Sequence, residues 1–232
     1  MGETADMTLA TYQDLCIDVS DPRVEGEFWA TMLGLSLVLP DDGVAHLDGD
    51  RPSDRVWLNV VPEAKTVKNR IHLDVNAESF GPALEAGARV FQESERWTTF
   101  LDPEGQEFCV FPRPEPITTR TYELIWNTAE GPEPARAQAE WWAAVLGGTP
   151  VHDERGFSWL EEIPGCPWES FDFVGVVEPK TVKNRVHIDV ATDDLDALVA
   201  HGATVLRAKG DDGLRWTVLA DPDGNEFCAF DD

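Results

Sequence analysis

The sequence predicts an α+β protein, a tandem repeat of two domains that each contain two β-α-β-β-β units. The first observation is a repeated segment: Lys65–Val75 reads KTVKNRIHLDV, and Lys180–Val190 reads KTVKNRVHIDV. The two copies differ at two positions, and at each of them one apolar residue replaces another. Chance does not account for a repeat of this length. The second observation is that the order strand, helix and three strands occurs twice in each half. A chain of 232 residues is long enough for each half to bury a core.

The first unit opens with a strand, because apolar and polar residues alternate over residues 14–19. Asp21 and Pro22 are typical of a helix N-cap and first turn, and Gly34 is typical of a helix end. Short strands are then predicted over residues 35–39, 45–47 and 56–61.

The second unit repeats this order, with a strand over residues 71–75 and a helix that stops at Gly87. The sequence Asp-Pro-Glu-Gly at residues 102–105 predicts a type I turn before the last strand. The three later strands are predicted over residues 89–91, 98–101 and 107–111.

The second half matches the first. Helices are predicted from Pro134 to Leu146 and from a cap near Thr192–Asp193 to Gly202. A proline-rich linker at residues 112–116 separates the halves. We therefore expect domain boundaries of 8–113 and 118–232.

Charge and cysteine content exclude several classes of protein. Asp and Glu total 44 against 18 Lys and Arg, for a net charge of -26, which repels nucleic acid and anionic membranes. No apolar run approaches the ~18 residues that a membrane span needs. Residues 1–7 are polar and acidic rather than typical of a signal peptide. The four cysteines form no C-x-x-C pair, so we expect reduced thiols in a cytoplasmic protein.

Three motifs carry a resemblance to a known family. They are the helix end Phe28-Trp29-Ala30-x-x-Leu33-Gly34, the repeated KTVKNR-x-H-x-D segment, and the closing Asp-Pro-x-Gly-x-Glu-Phe-Cys at residues 102–109 and 221–228. Together they resemble the glyoxalase-like branch of the glyoxalase/bleomycin resistance protein/dioxygenase superfamily, also called the vicinal-oxygen-chelate superfamily. The resemblance implies that the two units of each half form one cup-shaped curved sheet, and that each cup holds a small ligand, often with a divalent metal.

The resemblance also implies three metal-ligand positions in each half. The first-strand position falls on Asp14 and Glu123, the fifth-strand position on His72 and His187, and the last-strand position on Cys109 and Cys228. Two of the three positions in each half depart from the family's His and Glu set. We therefore expect no cofactor; the alternative is a divalent metal such as Zn, Fe, Ni or Mn, since carboxylate, imidazole and thiolate can all bind metals.

The strand histidines and nearby acids have two interpretations. His72 and His187, with Glu107 and Glu226, are candidate catalytic groups. Alternatively, each histidine forms a structural pair with the acid two residues later on the same strand face. The cations of the repeat, above all Arg70 and Arg185, either attract an anionic ligand group or form internal ion pairs that hold the loop.

Tryptophans supply the candidate ligand contacts. Four of them lie on or beside predicted strands and could form stacking walls: Trp57, Trp97, Trp159 and Trp216. Trp168 lies in a loop that the first half lacks, and is the candidate lid. Core filling is the alternative for each of these residues.

We therefore expect a metal-independent protein that holds a small aromatic or apolar metabolite or antibiotic in a cup, for sequestration or resistance. The alternative is a lyase, isomerase or dioxygenase-like enzyme that uses the cavity histidines and carboxylates. A scaffold with vestigial cups is a third possibility. The expected partner is a small molecule rather than nucleic acid or membrane, and the chain is expected to be a monomer or homodimer.

Overall fold

The computed structural model describes residues 8–114 and 116–231 and contains four β-α-β-β-β units. Unit one comprises β1, α1, β2, β3 and β4: Thr11–Val19, Pro22–Leu33, Ser36–Val38, Ala45–Asp48 and Val56–Val60. Unit two comprises β5, α2, β6, β7 and β8: Ile71–Ala77, Gly81–Glu85, Arg89–Glu93, Thr98–Leu101 and Glu107–Pro112. Unit three comprises β9, α3, β10, β11 and β12: Thr121–Ala129, Pro132–Leu146, Thr149–His152, Ser158–Glu161 and Ser170–Val176. Unit four comprises β13, α4, β14, β15 and β16: Val186–Ala191, Leu195–Ala200, Thr204–Arg207, Thr217–Ala220 and Glu226–Phe230.

Local sequence signals explain the helix ends. The Asp21 carboxylate accepts hydrogen bonds from the backbone N–H groups of Arg23 and Val24, and Gly34 ends α1 in the left-handed conformation. The cap of α4 is Asp194 rather than Thr192–Asp193, because Asp194 Oδ1 accepts from Ala197 N at 2.9 Å. Residues 1–7, which the sequence predicts not to be a signal peptide, lie outside the described residues. Position 115 of the predicted linker lies outside them as well.

The strands form two eight-stranded sheets, which confirms the predicted fold class. Sheet A has the order β14-β15-β16-β13-β1-β4-β3-β2, and sheet B has the order β10-β11-β12-β9-β5-β8-β7-β6. In each sheet the first strands of two units pair antiparallel at the centre, β1 with β13 and β5 with β9. The two first strands of the same half do not pair with each other: β1 does not pair with β5, and β9 does not pair with β13.

The pairing of units therefore corrects one expectation, that the two units of each half share a sheet. Sheet A joins unit one to unit four, and sheet B joins unit two to unit three. The physical reason is that β5 and β13 carry the same Arg-x-His-x-Asp pattern. Both strands consequently offer β1 the same alternation of side chains, and local sequence does not distinguish the partners.

Aromatic side chains join the two sheets through the long helices. Trp142 of α3 packs against Trp126 of sheet B and Phe227 of sheet A, with ring centroids 5.0 and 5.3 Å apart. Trp29 of α1 packs in the same way on Phe108 of sheet B at 5.3 Å. The core is therefore continuous between the sheets rather than divided between the sequence halves.

Within the described residues, no helix has the length and apolar character required to cross a membrane.

Candidate functional site

Sheet A curves around a cavity of about 850 Å³, which we call cup A. Its floor is the face of the central strands β1 and β13, where side chains alternate so that Asp14 and Cys16 point the same way as His187 and Asp189. Cys228 of β16 lies beside Asp189 in register and also lines the cavity. The floor of cup A is therefore built from unit one and unit four together.

Three floor residues form a compact buried group. Each of Cys16, His187 and Asp189 offers one potential metal-ligand atom, and these three atoms lie within 4.8 Å of one another. Cys16 Sγ donates to Asp189 Oδ2 at 3.4 Å, and His187 Nε2 lies 3.7 Å from Asp189 Oδ1. Although Asp189 is only 4% exposed, its Oδ1 has no hydrogen-bond partner among the described residues. A buried acceptor without a partner is unusual, and this one belongs to a residue that lines the cavity.

Burial sets the protonation of these groups. It raises the pKa of Asp189 to about 7, and it lowers the pKa of His187 to about 3 with help from the charge of Lys183. The imidazole is therefore neutral at physiological pH. Burial also raises the pKa of the Cys16 and Cys228 thiols, so neither is a ready nucleophile.

The walls of cup A are aromatic. Trp57 Nε1 donates to Asp14 Oδ2 at 3.2 Å, which fixes the indole ring beside the floor. Trp216 packs against Phe230 with ring centroids 5.4 Å apart, and both line the cavity. This arrangement presents flat apolar faces above a small polar floor, which is the usual composition of a small-molecule pocket.

Sheet B has a similar floor group whose cysteine comes from a different strand, because Ile125 holds the position that matches Cys16. The matching group is His72, Asp74 and Cys109, with His72 Nε2 3.5 Å from Asp74 Oδ1 and 3.9 Å from Cys109 Sγ. Burial lowers the pKa of His72 to about 3 and raises that of the Asp74 carboxyl.

At the mouth of the sheet B cup, cup B, several of the protein's own side chains pack on one another. Trp97 stacks on Phe111 at 5.6 Å, and Tyr122 packs edge-on against Phe111 at 5.0 Å. Arg113 covers the Tyr122 ring at 4.4 Å from its centroid. A cavity of about 310 Å³ remains to one side, and the His72 group does not line it. The position equivalent to Tyr122 is Gln13 in cup A, whose smaller side chain leaves the cup open.

The structure redistributes the residues predicted as metal ligands. Asp14 shares a sheet with His187 and Cys228, rather than with the His72 and Cys109 of its own half. Glu123 likewise lies opposite Asp74 in sheet B. The groups that come within 4.8 Å of one another include neither Asp14 nor Glu123, and include Cys16, Asp74 and Asp189 instead.

The charged groups of the repeat hold the loops together. Lys65 Nζ is 2.8 Å from Glu107 Oε1, and Lys180 Nζ is 2.9 Å from Glu226 Oε1. Glu107 and Glu226, predicted as catalytic, therefore lie in loop contacts and line neither cup. Arg70 and Arg185, predicted as ligand contacts, donate to backbone carbonyls and also lie away from both cups.

The tryptophans divide in the same way. Trp57 and Trp216 line cup A, Trp159 lines the small cavity of sheet B, and Trp97 stacks on Phe111 at the mouth of cup B. Trp168 is not a lid, because it is only 4% exposed and belongs to the core. Sequence reasoning missed Cys16 as a floor residue, although its spacing of two from Asp14 places both side chains on one strand face.

The sequence profile of the family described as "Glyoxalase-like domain" matches residues 14–111 and 132–230. The chain belongs to this family. The glyoxalase-like fold is also seen in glyoxalase I from Zea mays, which is 14% identical, with a TM-score of 0.66 and coverage of 96% of this chain and 92% of that one. Among curated proteins, none matches this sequence.

Two further structures share the glyoxalase-like architecture. A putative dioxygenase from Bacillus subtilis subsp. subtilis str. 168 is 16% identical, with a TM-score of 0.59 and coverage of 97% of this chain and 86% of that one. The cppA protein from Streptococcus pneumoniae TIGR4 is 10% identical, with a TM-score of 0.52 and coverage of 96% and 100%. At these identities the similarity shows the fold alone.

The floor group of this glyoxalase-like chain can be compared with a metal centre. Imidazole, thiolate and carboxylate suit zinc, so Cys16, His187 and Asp189 could hold a metal by type and spacing. A metal-bound imidazole, however, normally donates its second N–H to a carboxylate or carbonyl. Among the described residues, His187 Nδ1 has no such partner, and neither does His72 Nδ1. The donors are compatible with a metal, but the outer hydrogen bonds that support one are not built.

Proposed function

We propose that cup A binds a small aromatic or apolar molecule, a metabolite or antibiotic, without a metal, and that the protein sequesters it. The observation that carries this proposal is the open cavity of about 850 Å³ between Trp57 and Trp216. Flat aromatic walls favour a ring-shaped ligand, and Asp14, His187 and Asp189 supply polar side chains to the floor beneath it. Because Tyr122 and Arg113 crowd the mouth of cup B, where cup A has Gln13, the proposal is one ligand per chain.

The paired tryptophans provide a matched test. Trp216→Ala should weaken binding of bicyclic aromatic probes such as indole, quinoline and 1-naphthol about tenfold, or ~1.4 kcal/mol, because one wall of the cup is lost. Trp97→Ala at the equivalent position of sheet B should change the affinity less than twofold. Titration calorimetry measures both affinity and stoichiometry. Saturation at two ligands per chain, or equal loss in both variants, would contradict the proposal, as would a panel in which nothing saturates.

Metal content separates sequestration from metal-assisted chemistry. Protein purified without chelator should carry far less than one equivalent of Zn, Fe, Ni or Mn per chain, because the imidazoles lack outer hydrogen bonds. Elemental analysis by mass spectrometry measures this directly. One equivalent that persists in the wild type and disappears in His187→Ala would overturn the metal-free proposal.

A second candidate function is an enzyme that moves a proton, such as a lyase or isomerase. It is favoured by the pKa of Asp189 near 7 beside a neutral His187 in an accessible cavity, since a carboxyl of that pKa can exchange protons at neutral pH. For any ligand found to bind cup A, Asp189→Asn should then retain binding but abolish exchange of its C–H protons with deuterated water. Absence of exchange in the wild type would leave sequestration as the function.

A further inference from the structure

A second cavity lies between the two copies of the repeated segment, away from both cups. It has a volume of about 590 Å³ and is lined by residues 61, 63–70, 176 and 178–185, together with Asp18 and Asn127. The copies are related by an approximate two-fold axis, because Arg70 Nη1 donates to Glu178 O at 2.6 Å and Arg185 Nη1 donates to Glu63 O at 2.7 Å. The cavity is therefore bounded by matching cations from the two sides.

On the side of unit four, acids neutralise these cations at short range. Lys183 Nζ is 2.5 Å from Asp18 Oδ2, and Arg185 Nη2 is 3.4 Å from Glu104 Oε2. Asp18 is a buried residue of β1, and its carboxylate contacts the Lys183 ammonium group directly. Charge is consequently balanced on this side of the cavity.

On the side of unit two, both acids are replaced. Asn127 occupies the β9 position that matches Asp18, so Lys68 Nζ contacts only the Asn127 side-chain amide oxygen and the Asn69 carbonyl. Asp223 matches Glu104 and is one methylene shorter. Within residues 8–114 and 116–231, no carboxylate lies within 4 Å of the charged nitrogens of Lys68 or Arg70.

Arg70 is half-buried without a close acid, which is unfavourable for a cation in isolation, and the exposed Lys68 lines the cavity beside it, also without a close acid. Burial lowers the pKa of Lys68, and the more distant charges of Asp223 and Glu178 do not prevent burial from lowering that of Arg70. This lack of carboxylates near Lys68 and Arg70 occurs in a chain whose net charge is -26, in which acidic residues are abundant. It therefore indicates a place for a negative charge from outside the chain.

Part of the lining is apolar, although Glu63 and Glu178 also line the cavity. Val67 and Val182 are 40% and 46% exposed at matching positions, and Val61 and Val176 complete the apolar surface. We propose that this cavity binds a small organic carboxylate with a compact apolar body, whose carboxylate lies against Lys68 and Arg70. This site is distinct from cup A and does not depend on what cup A binds.

The pseudo-symmetry of the cavity supplies the key variant. Asn127→Asp places an acid opposite Lys68 in the way that Asp18 faces Lys183, so the fold already accommodates this pair once. In calorimetric titrations with hexanoate or benzoate, Asn127→Asp should weaken binding at least tenfold, as should Lys68→Gln. Lys183→Gln, which removes a lysine that is already neutralised, should change the affinity less than twofold. Thermal melting checks that each variant is folded.

Charge and location have separate controls. Hexylammonium has the same apolar body with a positive charge and should not bind, whereas acetate and inorganic phosphate, which lack an apolar body, should bind more weakly than hexanoate. Trp216→Ala should leave hexanoate binding unchanged, so failure of the cup A proposal does not affect this result. If hexanoate and benzoate fail to bind the wild type at millimolar concentration, or bind the folded Asn127→Asp and wild-type proteins equally, the proposed site is wrong.

Discussion

Trp142→Ala should lower the free energy of unfolding by about 3–5 kcal/mol, the range for removal of a large aromatic side chain from a core. Trp142 is fully buried and contacts Trp126 of sheet B and Phe227 of sheet A, so the cavity would open where the two sheets meet. In a chain of this size each kcal/mol corresponds to ~2–4 °C in melting temperature. Thermal and urea denaturation should therefore show a loss of about 10 °C.

The control for this variant is Trp159→Ala. Trp159 is half-buried on β11, next to the edge strand of sheet B, and its Nε1 donates to Glu161 Oε2 at 2.8 Å. Its removal should cost less than about 1.5 kcal/mol, because solvent can occupy the vacated space. Similar losses in both variants would show that Trp142 does not connect the sheets as described.

Glu25→Gln should stabilise the protein at pH 8 by about 1–3 kcal/mol, the range for an uncompensated buried polar or charged group. Glu25 on α1 is fully buried beside Asp102, and its Oε2 has no partner among the described residues. Burial, with the nearby charge of Asp102, raises the pKa of Glu25 to about 9. The equivalent residue on α3 is the neutral Gln138, also buried, which indicates that this site accepts an amide.

The direction of the pH dependence follows from proton binding. The folded protein retains the Glu25 proton up to about pH 9, whereas the unfolded chain loses it near 4.5. The stability that this proton contributes is therefore present below about pH 4.5 and is lost progressively as the pH rises toward 9. Glu25→Gln should remove this decline, and urea unfolding between pH 5 and 9 measures it.

Gln138→Glu is the reciprocal variant. It places a carboxyl near Asp221, whose own pKa burial raises to about 6, and should introduce a new loss of stability at high pH. Parallel pH profiles for the wild type and Glu25→Gln would contradict the assignment of the proton to Glu25.

The sequence was sufficient to predict the four units, both ends of α1 and the family, whereas the starts of α3 and α4 were misplaced by one or two residues. These features depend on local signals, such as the Asp21 cap, the Gly34 stop and the repeated KTVKNR segment. The polar residue types of the cup floors were also predictable, because His187 and Cys228 occupy positions that the family resemblance identifies.

The partner units and the difference between the cups were not predictable in this way. Both depend on side chains that converge from separate strands, and the sequence treats Trp97 and Trp216 as equivalent residues. Trp97 packs on Phe111 as Trp216 packs on Phe230, and only the packing of Tyr122 on Phe111 distinguishes the two mouths. The loop positions of Glu107 and Glu226 likewise depend on where Lys65 and Lys180 lie.

The joining of unit one to unit four has a consequence for synthesis on the ribosome. Cys16 and Asp189 hydrogen-bond across sheet A, yet they are separated by 173 residues along the chain. At ~5–20 residues per second, β1 leaves the ribosome roughly 10 to 35 s before the strand that will cover its edge. Sheet B is complete by then, because its units are consecutive. Unit one can pair β1 with β4 as soon as it emerges, but the other edge of β1 stays unpaired and available to chaperones until the last unit emerges.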